Sequence, residues 1–316
     1  MAAQPAGSTM SLGVLVGFDG SDHAVRALHW GAIEALARGT TLNVMTAFTV
    51  PRMITGEHSS HAIEDSLARR SAEQVAAMGR DLLKDYPGEA NFHIEYGDAA
   101  GVLVSHSSEA EVAVVGARGR GGFVGRLLGS VSSALPAHAD CPTVIVDQFY
   151  EPPEGEGHAR FQRVDERPIV VGMDQSKGAK LAALHAAEIA VAQQVPLRVV
   201  MAVPPLEGAL LWYPELGQMK AEGERRRSQL EVQLEEHVQW LMKHFEHLPI
   251  TPALSEGSPV DVLAGETDQS QLTVVGTRGR GGMASALLGS TSSGVIVHAA
   301  GPVMVVPAGE DPRLDQ

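Results

Sequence analysis

Two glycine-rich segments of the chain have the residue types and the spacing that phosphate binding requires. In the first, Gly119 follows Gly116 by three residues. Nine further residues separate Gly119 from Gly129 and Ser130, where a predicted helix begins. Glycine lets a backbone approach a phosphate with no Cβ in the way, and the N–H groups at a helix N-terminus favour an anion. The spacing predicts phosphate binding, although glycines that only form turns and a serine that only caps a helix give the same pattern.

The second segment repeats the first with the same spacing. Gly276 and Gly279 are followed, after nine residues, by Gly289 and Ser290. Two copies with one spacing favour a binding role over simple turn formation. Charged and hydroxyl side chains beside the glycines add possible phosphate donors. The predicted set therefore also contains Arg118, Val131, Ser132 and Ser133 in the first segment, and Arg278, Thr291, Ser292 and Ser293 in the second.

An aspartate follows the first predicted strand of each half. Asp19 and Asp174 lie near the glycine segments if the first and fourth strands are neighbours in the sheet. There each carboxylate would accept hydrogen bonds from ribose hydroxyl groups or help to hold a phosphate-bound metal ion. The alternative is an N-cap or an Asx turn, because both aspartates precede a predicted helix. Their position beside the glycine segments favours ligand contact.

The two halves of the chain are copies of one domain. The stretch from Val114 matches the stretch from Val274 without a gap, and the stretch from Val14 matches the one from Ile169. The offsets are 160 and 155 residues, so about five extra residues lie within the second copy. We predict a disordered N-terminus at 1–10, a first domain at 11–148, a linker at 149–166 with an exposed Pro-, Gly- and acid-rich stretch at 151–158, a second domain at 167–307 and a polar tail at 308–316.

Each copy alternates short apolar strands with helices. Runs of Val, Ile and Leu between helices are typical of parallel strands that are buried on both faces. The predicted fold class is α/β, with two tandem doubly wound parallel-sheet domains of the Rossmann-like or flavodoxin-like kind. Each would have about five strands, which in the first copy are Ser11–Gly17, Leu42–Thr49, Phe92–Tyr96, Ala113–Gly116 and Thr143–Val146. Ligands of such sheets bind beyond the carboxyl ends of the strands.

Composition restricts the function classes. The formal net charge is −14 and no large block of Lys and Arg occurs, which argues against nucleic acid but not against a small anionic ligand. The single cysteine, Cys141, excludes an intrachain disulfide, and we expect it to be buried. The sequence contains no recognisable signal peptide or membrane span, so we expect a cytoplasmic protein.

Several common catalytic and metal-binding patterns are missing from the sequence. It contains neither the P-loop motif of many NTPases nor the nucleophile elbow of α/β hydrolases. Two histidine pairs, His58 with His61 and His244 with His247, have no evident third ligand, so we predict surface histidines and no resident metal site.

The glycine pattern G-x-x-G-x9-G-[S/T], with an aspartate after the first strand, resembles the ATP-binding signature of the universal stress protein family in its tandem form. The resemblance covers both copies. It implies ATP as the ligand, together with Mg²⁺, a homodimer, and an intrachain pseudo-dimer of the two domains. It also implies that adenine and ribose are flanked by Gly17 to Asp19 and Ala47 in copy one, and by Gly172 to Asp174 and Ala202 in copy two, while the motif glycines and serines hold phosphates.

Three functions are compatible with these residues. The first is a regulator or sensor in which bound ATP biases a conformation or a partner surface. The second is a slow ATPase or phosphotransferase, in which Asp19 and Asp174 hold Mg²⁺. The third is a scaffold with a purely structural nucleotide. We expect a regulator, because no general base, nucleophile or residue that would position an attacking water is recognisable; the sequence does not identify its protein partner.

Overall fold

The computed structural model describes residues 12–50, 61–120, 128–162, 165–203, 217–277, 279 and 288–315. The chain divides into two compact units, Met1–Val164 and Asp165–Gln316. Each unit has a parallel sheet and helices that alternate with its strands, which confirms the predicted α/β fold class.

Unit 1 has the strand order β3-β2-β1-β4-β5, with all neighbours parallel. The chain runs outward from β1 to β3 and then returns across the sheet to β4. The crevice between β1 and β4 is therefore the point at which the strand order reverses. The elements are β1 (Gly13–Gly17), α1 (Asp22–Arg38), β2 (Leu42–Phe48), α2 (His61–Leu82), β3 (Ala90–Tyr96), α3 (Ala99–Ser107), β4 (Ala110–Gly116), α4 (Ser130–His138) and β5 (Thr143–Val146).

Unit 2 repeats this arrangement with the strand order β8-β7-β6-β9-β10. The crevice between β6 and β9 corresponds to the one between β1 and β4. The elements are β6 (Ile169–Gly172), α5 (Lys177–Gln193), β7 (Leu197–Val203), α6 (Gly217–His244), β8 (Ile250–Glu256), α7 (Pro259–Glu266), β9 (Leu272–Gly276), α8 (Ser290–His298) and β10 (Val303–Val306).

The central strands are buried on both faces, as their apolar runs predict. Val14, Leu15 and Val16 of β1 have no exposed surface, because helices cover both sides of the sheet. β4 begins at Ala110, three residues before the predicted start, because Ala110 already pairs with Gly13. Cys141 is buried as predicted, and burial raises the pKa of its thiol to about 12.

The first helix of each unit starts and ends with a cap that the sequence encodes. The Ser21 side chain accepts a hydrogen bond from Ala24 N, and Ser176 accepts one from Ala179 N. The capping residue that follows α1 is Gly39, which has φ 65°, whereas the one that follows α5 is Gln194, with φ 56°. These helices therefore begin directly after the loops that carry Asp19 and Asp174.

Part of the predicted linker is folded against unit 1. Gly157–Phe161 forms a 3-10 helix, and Phe161 is buried. Its ring lies 5.3 Å from the His29 ring and 5.2 Å from the Tyr86 ring, centre to centre. The stretch predicted as exposed, 151–158, has no buried residue, whereas the aromatic side chain of Phe161 provides enough apolar surface to bind the next part of the linker to α1.

The end of the chain contacts unit 2 in a comparable way. Pro312–Asp315 forms a second 3-10 helix, and Leu314 is buried. Arg313 bonds to the Glu188 carboxylate of α5 at 2.7 Å, and its guanidinium lies over the Phe245 ring. The segment predicted as a polar tail therefore includes a docked turn, and both units have a short 3-10 helix that contacts their first helix.

Candidate functional site

Of the residues predicted for the first copy, all but Ser133 line one cavity at the carboxyl ends of the strands of unit 1. The cavity has a volume of about 380 Å³ and lies where the strand order reverses. Its size is within the range of small-molecule sites, roughly 300–1,000 Å³. The predicted residues in its wall are Gly17, Asp19, Ala47, Gly116, Arg118, Gly119, Gly129, Ser130, Val131 and Ser132.

The Asp19 carboxylate holds the glycine loop to the end of β1. One oxygen accepts a hydrogen bond from Ser21 N at 2.9 Å, and the other accepts one from Arg120 N at 2.8 Å. A Cβ at Gly119 would lie 2.6 Å from the second oxygen, so only glycine allows this approach. Asp19 thus forms the predicted Asx-type turn while it also lines the cavity; the N-cap of α1 is Ser21.

The other motif glycines are required mainly by packing. A Cβ at Gly116 would lie 2.6 Å from the backbone of His23 in α1, and a Cβ at Gly17 would lie 2.8 Å from the Leu103 side chain. At Gly129 the nearest atoms are 3.5 Å away, which is ordinary contact. The expectation that all these glycines make room for phosphate therefore needs correction, and Gly129 is the one at which a side chain would extend without a clash.

The start of α4 is fixed by Ser132. Its hydroxyl donates to Ala117 O at 2.8 Å and accepts from Gly129 N at 3.0 Å, and the side chain is buried. Its proton is therefore already used, so the prediction that this hydroxyl donates to phosphate does not fit the geometry. Ser133 likewise donates to Gly129 O, whereas Ser130 is exposed in the first turn of α4.

Unit 2 has a smaller cavity at the corresponding place, with a volume of about 280 Å³. Its wall contains seven of the residues predicted for the second copy: Gly172, Asp174, Ala202, Gly276, Gly279, Thr291 and Ser292. Gly289 and Ser290 lie at the start of α8 but are not part of this wall. Arg278 lies outside the described residues.

The contacts around Asp174 repeat those around Asp19. One Asp174 oxygen accepts from Ser176 N at 3.0 Å, and a Cβ at Gly279 would lie 2.5 Å from the other oxygen. The Ser292 hydroxyl donates to Gly276 O at 2.6 Å, so it too is used within the protein. A Cβ at Gly276 would lie 2.9 Å from Gly178 O of α5. The same local geometry is therefore built twice.

His23, which lies beside Gly116, stays neutral to a lower pH than an ordinary histidine. Burial lowers the pKa of His23, at the start of α1, and the positive charges of Arg118 and Arg26 lower it further. No cluster of three or more His, Cys, Asp or Glu side chains suited to a metal ion occurs in the described part of the chain. The charged side chains of described residues in the first cavity wall are Asp19, Arg118 and Arg120.

A family model described as "Universal stress protein family" matches the chain twice, at residues 10–147 and 166–307. The chain belongs to the universal stress protein family. Universal stress protein Rv2623 of Mycobacterium tuberculosis is 31% identical over 311 residues, which cover 93% of this chain and 96% of that protein. A universal stress protein of Mycolicibacterium smegmatis is also 31% identical, over 95% of this chain and 98% of its own.

A solved structure has the same fold over nearly the full length. The crystal structure of a universal stress protein from Archaeoglobus fulgidus DSM 4304 matches with a TM-score of 0.65 and 19% identity. The match covers 95% of this chain and 97% of that one. The resemblance inferred from the glycine motifs is thereby confirmed at the level of family and fold.

The two universal stress protein units differ at the residue that follows Asp19 in unit 1 and Asp174 in unit 2. In unit 1, Gly20 has φ 74°, and the Arg120 guanidinium lies 2.6 Å from the place where a Cβ would stand. In unit 2 the corresponding residue is Gln175, with φ 69°, which is unfavourable for a residue with a side chain. The Gln175 amide donates to the Gln233 side chain of α6. In unit 2 the loop after the first strand is therefore bonded to α6 through a side chain that unit 1 lacks at the corresponding position.

Sequence reasoning missed several wall residues. Arg120 had a signal, because the letters Arg-Gly-Arg-Gly-Gly occur in both copies. Arg226 and Leu230, which line the second cavity from α6, had none, because that helix has no close counterpart in the first copy's sequence. In the apolar wall of the first cavity, Phe18 lies within the predicted stretch Gly17 to Asp19, whereas Met45 and Leu103 follow only from the packing of β2 and α3 against β1.

Proposed function

We propose that this chain is a nucleotide-dependent regulator that binds one nucleoside triphosphate in each unit, with ATP as the ligand of the first. The observation that carries the proposal is the cavity of unit 1, because all residues chosen from the sequence except Ser133 line it. The cavity combines an apolar wall, a helix N-terminus and two arginines. This combination suits a planar base at one end and phosphates at the other.

The expected position of the ligand follows from the wall. Phosphates would lie at the start of α4, near the exposed Ser130, where backbone N–H groups and the helix dipole attract anions. Arg118 and Arg120 would add charge-assisted hydrogen bonds. The base would extend toward Met45 and Ala47 at the end of β2. The phosphates would then be bound mainly by backbone groups.

Mg²⁺ would enter with the phosphates. Among the described residues, the wall of the first cavity offers one carboxylate, Asp19, and both of its oxygens already accept backbone hydrogen bonds. Mg²⁺ is usually held by one or two carboxylates together with substrate phosphates and water. Asp19 therefore suits a residue that holds the loop in place, which supports regulation over the slow ATPase in which Asp19 and Asp174 bind the metal. Turnover that is lost in the double variant Asp19→Asn, Asp174→Asn while binding is kept would favour the ATPase instead.

The test blocks one cavity without disturbing the fold. At Gly129 a side chain would meet only ordinary contacts and φ is −77°, so Gly129→Val should fold and should obstruct the phosphate position. The control is Gly265→Val, since nothing lies within 4 Å of a Cβ there. Calorimetric titration with ATP should show that Gly129→Val loses the binding assigned to unit 1 and that Gly265→Val keeps it. Unchanged ATP binding in Gly129→Val would overturn the assignment of the cavity.

Two further properties are proposed from the family resemblance. We expect a homodimer, which sedimentation velocity would detect, and a cytoplasmic location. No helix among the described residues is both long enough and apolar enough to cross a membrane. A monomer at all concentrations tested would contradict the first expectation and leave nucleotide binding unaffected.

A further inference from the structure

The second cavity is lined by an arginine side chain, Arg226, that lies in a different place from the arginines of the first cavity. Arg226 and Leu230 line it from α6, which packs against β7 and β8. The glycine segment of unit 2 follows β9, which lies on the other side of β6. Arg226 therefore approaches from the side of the cavity opposite to the predicted phosphate position. None of the described residues that line the first cavity comes from α2, the corresponding helix of unit 1.

Arg226 is available to a ligand. It is exposed, it lines the cavity, and it forms no ion pair with any residue in the described part of the chain. Its neighbour Arg227, by contrast, pairs with Glu231 one turn later at 3.2 Å. A guanidinium that faces a cavity and forms no ion pair with a described residue is suited to bind acceptor atoms of a ligand, because it has five N–H donors and no acceptor.

α6 is also fixed in relation to the cavity. Gln175, which lines the cavity, donates to Gln233 of α6. Arg226, Leu230 and Gln233 are spaced by four and three residues, so they lie on one face of the helix. The Gln175–Gln233 hydrogen bond therefore connects the loop after β6 to the face that carries Arg226. In unit 1 the residue in the place of Gln175 is Gly20, which has no side chain to make this bond.

We propose that Arg226 reads the base of the nucleotide in the second cavity and gives that cavity a preference for guanine over adenine. The inference rests on the proposed function, since phosphates at the start of α8 would direct the base toward β7 and α6. Guanine presents two adjacent acceptors, O6 and N7, to which an arginine binds in a bidentate manner. Adenine presents an N6 donor next to N7, which a group with donors only cannot match.

The residues around Arg226 complete a base-sized surface. Leu230, Val200 and Met201 provide apolar contacts in the same wall. The corresponding end of the first cavity is formed by Met45, Ala47 and other apolar residues, and its arginines, Arg118 and Arg120, belong to the glycine segment. The two units would therefore bind phosphates alike and bases differently, so that one chain responds to two nucleotides.

The test uses the full chain with the first cavity blocked by Gly129→Val. Calorimetric titration with GTP and with ATP should show the tighter binding for GTP. Adding Arg226→Gln should weaken GTP binding by about tenfold, as expected for the loss of one bidentate pair, and should not weaken ATP binding, because a glutamine amide can pair with N6 and N7 of adenine. Arg226→Lys, which keeps the charge but not the two parallel donors, should also lose the preference. The matched control, Arg227→Gln, should leave both affinities unchanged.

Each result has a distinct meaning. Tighter binding of ATP than of GTP would overturn the inference, and so would equal losses for both nucleotides in Arg226→Gln, which indicate that the guanidinium stacks on any base. Either result leaves nucleotide binding by the second unit in place. Failure of both nucleotides to bind, in the blocked chain and in the unaltered chain, would instead overturn the proposed function itself.

Discussion

The backbone N–H of Arg120 donates a 2.8 Å hydrogen bond to Oδ2 of Asp19, which joins the glycine segment after β4 to the end of β1. The other oxygen of the same carboxylate accepts from Ser21 N. One side chain therefore ties together the two loops between which the cavity opens. The role of Asp19 is to hold the loop in the shape that a phosphate would meet.

Replacing this carboxylate should weaken nucleotide binding whether or not a metal is present. Asp19→Asn keeps one acceptor oxygen and turns an NH₂ group toward a backbone donor. The loss of a hydrogen bond to a charged group costs about 1.5–3 kcal/mol, so we expect ATP affinity in the first cavity to fall by roughly tenfold or more. Calorimetry with Mg²⁺ and with a chelator should give the same loss.

Asp22→Asn is the matched control for this variant, since Asp22 is an exposed residue in the first turn of α1. Its affinity should equal that of the unaltered protein. A loss in Asp19→Asn that appears only with Mg²⁺ would contradict the positioning role and would support the metal-binding one.

The docked 3-10 helix Gly157–Phe161 should stabilise unit 1. Phe161 is buried between the rings of His29 and Tyr86, so Phe161→Ala should lower the free energy of unfolding by about 3 kcal/mol. Urea denaturation, followed by circular dichroism, measures the change. The control is Phe149→Ala, because Phe149 is 59% exposed and should contribute little. Equal effects of the two substitutions would show that the segment does not dock in solution.

His29 should make this docking sensitive to acid. Burial lowers the pKa of His29 to about 4, from 6.5, and the nearby Arg160 lowers it further. Between these two values the unfolded chain binds more protons than the folded one, so stability falls as pH decreases from 6.5 toward 4. The loss should amount to about 2–3 kcal/mol near the lower end.

His29→Phe keeps a ring against Phe161 and removes the titrating group. Its unfolding free energy, measured over the same pH range, should lack this component of the decrease. A variant whose pH dependence is as steep as that of the unaltered protein would show that other groups cause the loss.

The repeated motifs predicted the fold and most of the wall of the first cavity, because local steric and capping requirements restrict which residue type can stand at a given position. Where another backbone or a carboxylate must approach closely, only glycine fits, as at Gly116 and Gly119, and the sequence shows it at that position. The same holds for Ser21 and Ser176, which cap the helices beside the sites. Local constraints of this kind appear in both copies, and the comparison of the copies makes them visible.

The remaining features depend on contacts between distant elements. Arg226 becomes a wall residue only because α6 packs against β7 and β8, and Phe161 is buried only because its segment returns to α1. Neither has a counterpart at the same place in the other copy, so the repeat gives no signal. The contact of Ser132 was also not predictable, because its spacing places it beside the glycine segment but does not show that its hydroxyl donates to Ala117 O.

The most direct test of the account is to count what the purified protein carries. The chain, prepared without added nucleotide, is denatured, and the released molecules are identified and quantified by chromatography and mass spectrometry. The account predicts one nucleoside triphosphate for each unit, with the nucleotide assigned to unit 1 lost in Gly129→Val. A protein that releases no nucleotide and also fails to bind added ATP or GTP would contradict it, and the glycine segments would then serve only the architecture of the fold.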